Sequence, residues 1–324
     1  MTPRLLVDRL LDATIVLSFD RTGFARHRSG FRDADLAADL AGRNVLVTGA
    51  NSGIGRATAR ALASRGAHVL LLCRRRGAGE EAASTISRET GNRHVAAEEL
   101  DVSDLAAVER FCRGFRRRKV DVLVNNAGVL PHERAATPDG LERTLATNLV
   151  GPFLLTSLLL PRLAAARGRV VNVSSGGMYT QRLSVPALED PPERPFDGVL
   201  AYARTKRALV VATELMAERW GGGGASFFSM HPGWADTPAV RTSLPRFWAV
   251  TRAVLRTPEE GADTVVWLAA AQAAPAPSGG FFFDRQPRPT HLLPWTREDP
   301  AERERLFRAL ERWSAARPAD AGRS

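Results

Sequence analysis

From Asn44 onward, short apolar runs alternate with segments of helical periodicity. The apolar runs predict buried strands, and the segments between them space their apolar side chains three or four residues apart, which predicts amphipathic helices. Strands that alternate with helices are typical of a parallel sheet with helices on its faces. The predicted strands cover residues 45–47, 69–73, 95–100, 120–124, 170–173 and 226–230, and the predicted helices 54–64, 78–88, 106–116, 141–166 and 201–220. We therefore predict a single-domain α/β fold with a doubly wound parallel sheet.

A separate segment precedes this pattern at the amino end of the chain. Leucines at helical spacing predict an amphipathic helix over residues 3–18, and a loop rich in arginine, glycine and phenylalanine follows over 19–31. The helix either packs on its own domain or makes a peripheral membrane contact, since a basic loop follows an apolar helix face. The apolar stretch at 13–19 is too short to span a bilayer and lacks a small-residue cleavage site, so we predict no signal peptide.

The carboxyl end predicts a charged helix over residues 298–315. Leu306, Leu310 and Trp313 lie on one side of it. This side either caps the edge of the domain, which we favour, or contacts a second copy of the chain in a homo-oligomer. The predicted division of the chain is an N-terminal helix and basic loop (1–42), the α/β domain (43–290), and a C-terminal helix and tail (291–324).

Charge and cysteine content narrow the functional classes. The 324 residues carry a net charge of +10, but the basic residues are spread along the chain. The tight basic runs at 74–76 and 116–119 lack interleaved aromatic side chains that could stack on bases, so we predict no nucleic-acid partner. Cys73 and Cys112 both lie in apolar patterns and offer no disulfide framework or zinc spacing. We predict no metal site and a reducing, cytoplasmic location, with membrane association as the alternative.

A glycine-rich turn follows the first predicted strand and opens the first predicted helix. It reads Thr48-Gly49-Ala50-Asn51-Ser52-Gly53-Ile54-Gly55. Gly49 permits the tight turn, Gly53 lets the backbone approach a pyrophosphate, and Gly55 lets helix and sheet pack closely. Amide groups at the helix N-terminus then point at an anion. This context predicts a Rossmann-type dinucleotide site, with candidate contacts at Gly49, Asn51, Ser52, Gly53, Ile54 and Gly55.

The end of the second predicted strand bears on the choice of cofactor. In Rossmann sites an acidic residue there binds the ribose hydroxyls of NAD, whereas an arginine accommodates the 2′-phosphate of NADP. This chain has Cys73-Arg74-Arg75 and no Asp or Glu at that place. Arg74 offers a planar set of donors to a phosphate; a solvated arginine without a ligand is the alternative. We predict NADP(H), with NAD(H) second.

Tyrosine and lysine are scarce, yet one of each occurs in Tyr202-Ala203-Arg204-Thr205-Lys206. Of 45 basic side chains only two are lysine, and the chain has only two tyrosines. A spacing of four residues in a predicted helix places the phenol and the ammonium group on one face. A neighbouring cation favours the phenolate of a tyrosine, and lysine, unlike arginine, can transfer a proton. We interpret the pair as a proton-transfer site; two surface side chains on one helix are the alternative.

Polar residues also follow two further predicted strands, at the carboxyl edge where open α/β sheets bind ligands. Ser174-Ser175 follows the strand at 170–173, and Asn125-Asn126-Ala127-Gly128 follows the strand at 120–124. A serine at a strand end can hydrogen-bond a substrate oxygen, although such serines alone are typical of a turn. Asn148 lies inside the long predicted helix, where a buried amide needs a partner.

In order and spacing, residues 43–284 resemble the short-chain dehydrogenase/reductase superfamily. The resemblance implies that the turn at 48–55 binds the cofactor and that Asp101-Val102 contacts its adenine side. It also implies a sheet-stabilising motif at 125–128 and a nicotinamide-side segment at 231–237. The further cofactor positions so implied are Asn125, Ala127, Gly128, Pro232, Gly233, Trp234 and Thr237.

The same resemblance implies a catalytic tetrad of Asn148, Ser175, Tyr202 and Lys206. In the family scheme, Ser175 polarises the substrate oxygen and Tyr202 exchanges its proton. Lys206 lowers the pKa of the phenol and binds the nicotinamide ribose, and Asn148 holds a relay water. Tyr202 and Lys206 thereby belong to the cofactor site as well.

A closer resemblance extends over nearly the whole chain, to the group called dehydrogenase/reductase family member 12. It is carried by the segments at 19–24, 175–178, 231–238 and 283–285 and by His291. Compared with shorter members of the superfamily, the chain has a proline-rich insertion at 179–197, like that of retinol-dehydrogenase-like members. This insertion and the apolar stretch at 239–255, with Phe247 and Trp248, either line an apolar substrate pocket or pack as surface loops.

The sequence thus predicts an oxidoreductase that transfers hydride between NADP(H) and the carbonyl or alcohol group of a lipophilic small molecule. A non-catalytic NADP(H)-binding sensor or interaction protein on the same fold is the alternative. The presence of Ser175 favours the enzyme, because cofactor binding alone does not require it. Since the nucleotide site begins at Thr48, removal of residues 1–35 is expected to leave cofactor binding largely intact while changing substrate affinity or lipid association.

Overall fold

A computed structural model describes residues 18–271 and 277–315 of the chain, so almost all of the helix predicted at 3–18 lies outside the described residues. At its centre is an eight-stranded sheet with the strand order β3-β2-β1-β4-β5-β6-β7-β8. The strands from β1 to β7 pair in parallel, and β8 pairs antiparallel to β7. The strands are β1 (Asn44–Thr48), β2 (His68–Cys73), β3 (Val95–Glu99), β4 (Val122–Asn125), β5 (Arg169–Val173), β6 (Ser226–Met230), β7 (Phe281–Phe283) and β8 (Gln286–Pro287). The strand order reverses between β1 and β4, the place where such sheets bind ligands.

Helices cover both faces of the sheet. They are α1 (Arg21–Arg28), α2 (Gly53–Ala63), α3 (Arg76–Thr90), α4 (Leu105–Gly114), α5 (Arg143–Ala166), α6 (Val185–Glu189), α7 (Gly198–Trp220), α8 (Pro238–Ser243), α9 (Pro245–Thr251), α10 (Pro258–Ala270) and α11 (Pro300–Ala315). Leu62 of α2 and Val265 of α10 pack in one core. Leu155 of α5 and Leu209 of α7 pack in a second core. Two cores on two helical layers confirm the predicted doubly wound α/β fold.

The prediction of a loop over residues 19–31 is wrong, because the helix α1 occupies most of this segment. Asp20 caps this helix: its carboxylate accepts a hydrogen bond from the backbone N–H of Gly23 at 3.0 Å. Phe24 and His27 are buried on the domain. The helix therefore forms through its cap and its tertiary packing rather than through helix propensity.

The helix predicted over 141–166 is present as α5, with a π-helical turn at Ala146–Val150. By length and composition α5 is apolar enough to cross a membrane. Its leucines at 149, 155, 159 and 163 are nevertheless buried in the core against the sheet. Here it serves as the central helix of its layer.

The carboxyl-terminal helix α11 buries the predicted apolar side, with Leu306, Leu310 and Trp313 all enclosed. It covers α5, α6 and α7 rather than the edge of the sheet. The expected cap therefore forms, but on the outer surface of a helical layer.

A buried charged cluster binds the segment around α1 to the domain. The Arg256 guanidinium donates to both carboxylate oxygens of Asp284, at 2.6 and 2.8 Å, and to the backbone carbonyl of Ser18 at 2.8 Å. His27 Nδ1 lies 2.6 Å from the same carboxylate. Removal of residues 1–35 would take partners away from these buried charges and is therefore expected to lower stability, while its effect on cofactor binding stays a prediction.

Candidate active site

The turn between β1 and α2 is packed so closely that side chains at its glycine positions would collide with neighbouring atoms. Gly53 has φ of +53°, in the left-handed region that favours glycine. A Cβ on Gly55 would lie 2.5 Å from the carbonyl oxygen of Gly49 and 2.5 Å from Asn126 Nδ2. The turn is therefore close-packed from within, as the sequence predicted for Gly55.

Asn126 fixes this turn from the neighbouring strand. Its Nδ2 donates to the carbonyl oxygens of Thr48 at 2.9 Å and Gly49 at 3.3 Å. The backbone N–H groups of Asn126 and Ala127 both donate to the Thr48 hydroxyl, at 3.0 Å each. Asn126 belongs to the motif at 125–128 but was not predicted to be a site residue. The available signal was its place directly after β4, beside the strand that carries the turn.

Asn125, by contrast, points into the sheet. Its Nδ2 donates to Asn172 Oδ1 at 2.8 Å and to Thr156 Oγ1 at 3.1 Å, which joins β4 to β5 and α5. Asn172 in turn donates to Thr213 Oγ1 at 2.9 Å. The side chain predicted as a cofactor contact thus forms a buried polar chain beneath the site.

The residues at this edge of the sheet fit a dinucleotide. Ser52 precedes α2 without a side-chain cap, which leaves the amides of the first helical turn directed at the edge. Arg74 is exposed at the end of β2. Asp101 follows β3, and its carboxylate accepts from the Ser103 backbone N–H at 2.9 Å and hydroxyl at 2.7 Å, while Val102 is buried. Anion-directed amides and a cationic side chain on the adjacent strand are the donor set that a phosphorylated nucleotide requires.

Tyr202 and Lys206 lie together on α7, as predicted, and Ser175 faces them from the end of β5. The Ser175 side chain lies within hydrogen-bonding reach of the Tyr202 phenol. Lys206 Nζ donates to the backbone carbonyl of Val173 at 2.8 Å and lies 5.6 Å from the centre of the Tyr202 ring. Asp197 starts α7 by accepting from the backbone N–H groups of residues 199 and 200.

Burial shifts the pKa of both groups. Removal from water lowers the pKa of the Lys206 ammonium to about 8. Burial also raises the pKa of the Tyr202 phenol, although its hydrogen bond with Ser175 acts in the opposite direction. The pair therefore combines a phenol that holds its proton with an amine that titrates near neutral pH.

Asn148 completes the predicted set of four. Its Nδ2 donates to the Val129 carbonyl at 3.0 Å and to Thr205 Oγ1 at 3.1 Å, and its Oδ1 accepts from the Val129 N–H at 2.8 Å. A Cβ on Gly128 would lie 3.3 Å from Lys206 Nζ and 3.4 Å from Asn148 Oδ1. The fold thus brings all four tetrad positions to one place, with Gly128 between two of them.

The segment from Pro232 to Thr237 meets the glycine turn. A Cβ on Gly53 would lie 3.2 Å from Thr237 Cγ2. Gly233 has φ of +71°, and the Trp234 N–H donates to the Phe19 carbonyl at 2.7 Å. The segment implied to lie on the nicotinamide side is therefore next to the cofactor turn, and the amino-terminal extension holds it there.

The insertion and the 239–255 stretch differ in their contacts. Tyr179 is buried, and its hydroxyl donates to the Pro289 carbonyl at 3.0 Å, while Glu193 pairs with Arg204 of α7. Much of the insertion therefore packs on the domain. Phe247, in contrast, meets the Trp234 ring edge-on, with centroids 5.3 Å apart, which places α9 beside the nicotinamide-side segment.

A buried arginine next to Lys206 was not predicted from the sequence. Arg207 donates to Glu298 Oε2 and to the Thr290 carbonyl, at 2.5 Å each. These hydrogen bonds connect the segment before α11 to the helix that carries the predicted catalytic pair. A single arginine in an arginine-rich chain gives no local signal for this role.

Comparison with known proteins agrees with this geometry. A family model described as short chain dehydrogenase matches residues 43–187. Dehydrogenase/reductase SDR family member 12 of Homo sapiens is 44% identical over 299 residues, which cover 90% of this chain and 93% of that protein. Retinol dehydrogenase 12 of Homo sapiens is 40% identical over 250 residues, covering 76% and 78%. The structure of a 3-oxoacyl (acyl-carrier-protein) reductase from Agrobacterium tumefaciens C58 with NADP bound is similar with a TM-score of 0.60 and 28% identity, covering 78% of this chain and 96% of that one.

Proposed function

Because the chain belongs to the short-chain dehydrogenase/reductase family of oxidoreductases, we propose that it is an NADP(H)-preferring enzyme that acts on the carbonyl or alcohol group of a lipophilic small molecule. One observation carries the proposal: Ser175, Tyr202 and Lys206 converge at one place, with Lys206 Nζ 5.6 Å from the centre of the Tyr202 ring and Ser175 beside the phenol. Nucleotide binding alone requires no such arrangement.

The proposed chemistry assigns one task to each side chain. The nicotinamide, when bound, supplies or accepts the hydride. Tyr202 gives its proton to the substrate oxygen in reduction and takes it back in oxidation, and the Ser175 hydroxyl hydrogen-bonds that oxygen. The Lys206 ammonium favours the phenolate that reduction leaves on Tyr202. Asn148 fixes Thr205 on α7, and the free acceptor capacity of its Oδ1 suits a water that returns protons to Lys206.

The NADP(H) preference rests on Arg74. Its exposed guanidinium stands where an acidic residue would otherwise bind ribose hydroxyls. A reductase with a similar structure holds NADP. Replacement Arg74→Ala is expected to weaken NADPH binding by about 1.5 to 3 kcal/mol, the loss of a charged hydrogen bond, with NADH binding almost unchanged.

Fluorescence titration with both cofactors measures this effect. Arg88→Ala, which removes an exposed arginine on α3, is the matched control and should alter neither affinity. Equal weakening of NADPH and NADH by Arg74→Ala would refute the phosphate-binding role.

The lipophilic substrate class is supported by two observations. A relative named retinol dehydrogenase 12 is 40% identical, and the aromatic rings of Trp234 and Phe247 lie together in and beside the segment that we propose to contact the nicotinamide. Oxidation of NADPH with a panel of aldehydes, quinones, retinoids and steroids tests the proposal, and turnover is expected with apolar carbonyl compounds. Tight NADPH binding without turnover of any of these classes would instead support a cofactor-binding sensor.

A further inference from the structure

We propose that Phe19, which precedes the α/β domain in the chain, is a positioning residue of the active site. It holds the turn that carries Ser175 (residues 174–177, the serine turn) against the nicotinamide-side segment at 231–237. The inference rests on the proposed function, because it concerns the distance between the proton-transferring groups and the nicotinamide.

The Phe19 ring lies directly against the residue that follows Ser175. A Cβ on Gly176 would lie 2.5 Å from Phe19 Cε2, 3.1 Å from Cδ2 and 3.3 Å from Cζ, so the three atoms nearest to it all belong to this ring. Ser175 Oγ accepts a hydrogen bond from the Gly177 N–H at 3.3 Å within the same turn. The ring therefore packs on the serine turn at a distance that only glycine permits.

Phe19 also contacts the nicotinamide-side segment, through both its backbone and its ring. The Trp234 N–H donates to the Phe19 carbonyl at 2.7 Å, and a Cβ on Gly233 would lie 2.6 Å from the same oxygen. The centre of the Phe19 ring lies 4.4 Å from that of the His231 ring and 6.0 Å from that of the Trp234 ring. One residue thus contacts the loops that follow two adjacent strands, β5 and β6.

Arg256 holds both neighbours of Phe19 in the chain. Its guanidinium donates to the carbonyls of Ser18 at 2.8 Å and Asp20 at 3.1 Å. Its backbone N–H donates to the Trp234 carbonyl at 2.8 Å, so it is paired with the nicotinamide-side segment as well. These contacts leave Phe19, which is 6% exposed, little freedom to move. A residue that sets the geometry of a site requires such a fixed position.

Two loops that pack on one ring cannot shift independently of each other. In the proposed reaction the substrate carbon must face the nicotinamide while its oxygen reaches Ser175 and Tyr202. A displacement of about 1 Å in such an arrangement can slow a reaction about 100-fold. Loss of the Phe19 ring should therefore lower kcat more than NADPH affinity, because the proposed phosphate contacts lie on the glycine turn and on Arg74.

Phe19→Leu in the full chain tests the proposal, since it removes the ring but keeps an apolar side chain at a buried position. Phe111→Leu is the matched control, because Phe111 is also 6% exposed but faces the core from α4. With the carbonyl compound that wild type reduces best, Phe19→Leu should lower kcat about 10- to 100-fold. Phe111→Leu should leave kcat unchanged, and fluorescence titration should show that both variants retain NADPH affinity.

Gly176→Ala separates this contact from a general loss of packing. Its methyl group would strike the Phe19 ring and displace the serine turn, so this change alone should lower kcat about tenfold. In Phe19→Leu/Gly176→Ala the atom that it strikes, Cε2, is absent, and the same methyl group should lower kcat by a clearly smaller factor. Equal factors in the two backgrounds would contradict a direct contact between the ring and the serine turn.

Amide hydrogen exchange without cofactor measures the contacts independently of any reaction. Peptides that cover 174–178 and 231–236 should lose protection in Phe19→Leu and keep it in Phe111→Leu. Unchanged protection of both segments, or undiminished kcat in Phe19→Leu, would overturn the proposal.

Failure of the proposed function would be recognised separately, as absence of turnover by wild type with every carbonyl compound. The emission of bound NADPH, which depends on the surroundings of the nicotinamide, then decides the inference. A spectral shift in Phe19→Leu that Phe111→Leu does not show would support the positioning role. Identical spectra in wild type and Phe19→Leu, or no NADPH binding by wild type, would refute it.

Discussion

Lys206 shows how burial sets the chemistry of a single residue. Its ammonium is almost fully enclosed and donates to the Val173 carbonyl. Burial lowers its pKa from 10.5 to about 8. Keeping this cation buried therefore costs folding free energy. A position with only a structural role would not require a buried ammonium group.

This shift predicts how stability depends on pH. Because the folded pKa of about 8 lies below the unfolded value of 10.5, the unfolded chain binds more protons between these two pH values. The stability contribution of Lys206 therefore rises as pH increases through that window, and the penalty is fully present below it. Relative to Lys206→Met, wild type should gain on the order of 3 kcal/mol in unfolding free energy.

Urea unfolding of both proteins without cofactor, at several pH values across that window, measures the difference. Comparison with Lys206→Met cancels the titration of the other groups. A difference in unfolding free energy that stays constant with pH would show that Lys206 is not perturbed.

At the scale of elements, the sequence predicted best where local pattern and burial coincide. The strands β5 and β6 each bury their last four residues and β2 buries four of its six, and the apolar residues among them located these strands in the sequence. The helix α1 was missed because glycine and arginine obscure its pattern. It is held by the Asp20 cap and by the burial of Phe24, which depends on residues far along the chain.

The glycine turn offers the sharpest prediction at this scale. In Gly55→Ala, the new Cβ would meet the Gly49 carbonyl at 2.5 Å, so the turn or α2 must shift. We expect a loss of about 1 to 3 kcal/mol in unfolding free energy, together with weakened NADPH binding. Gly77→Ala on α3 is the control, because nothing lies within 4 Å of its added Cβ.

Thermal unfolding and NADPH titration of both variants measure the effect. Gly77→Ala should be neutral or slightly stabilising, since alanine favours the helix. Indistinguishable behaviour of Gly55→Ala and Gly77→Ala would mean that the turn is not close-packed.

At the scale of the whole molecule, buried charged pairs hold both ends of the described chain against the domain that forms the site. His27 and Asp284 are 257 residues apart, and Arg207 and Glu298 are 91 apart. Pairing between one of many arginines and a distant carboxylate leaves no periodicity in the sequence. The four tetrad positions could be predicted from their motifs, whereas these long-range pairs could be identified only in the three-dimensional structure.

These contacts predict the outcome of one truncation. Removal of residues 1–31 deletes two backbone acceptors of Arg256 and the His27 partner of Asp284. That loss should lower the unfolding free energy by about 3 to 5 kcal/mol, because buried charges lose their partners. Urea unfolding compares the truncated chain with the full chain, and equal stability of the two would mean that these contacts do not stabilise the domain.

The turnover of Tyr202→Phe, with the carbonyl compound that wild type accepts best, decides whether Tyr202 transfers the proton. The change removes only the phenolic oxygen, so turnover should fall about 100- to 10,000-fold while NADPH affinity is retained. Lys206→Arg should also lose turnover, because a bulky, permanently charged guanidinium cannot relay the proton. Tyr179→Phe, which removes the chain's other phenolic oxygen at a packed position, should keep it. Undiminished turnover by Tyr202→Phe would show that the Tyr202 phenol does not transfer the proton.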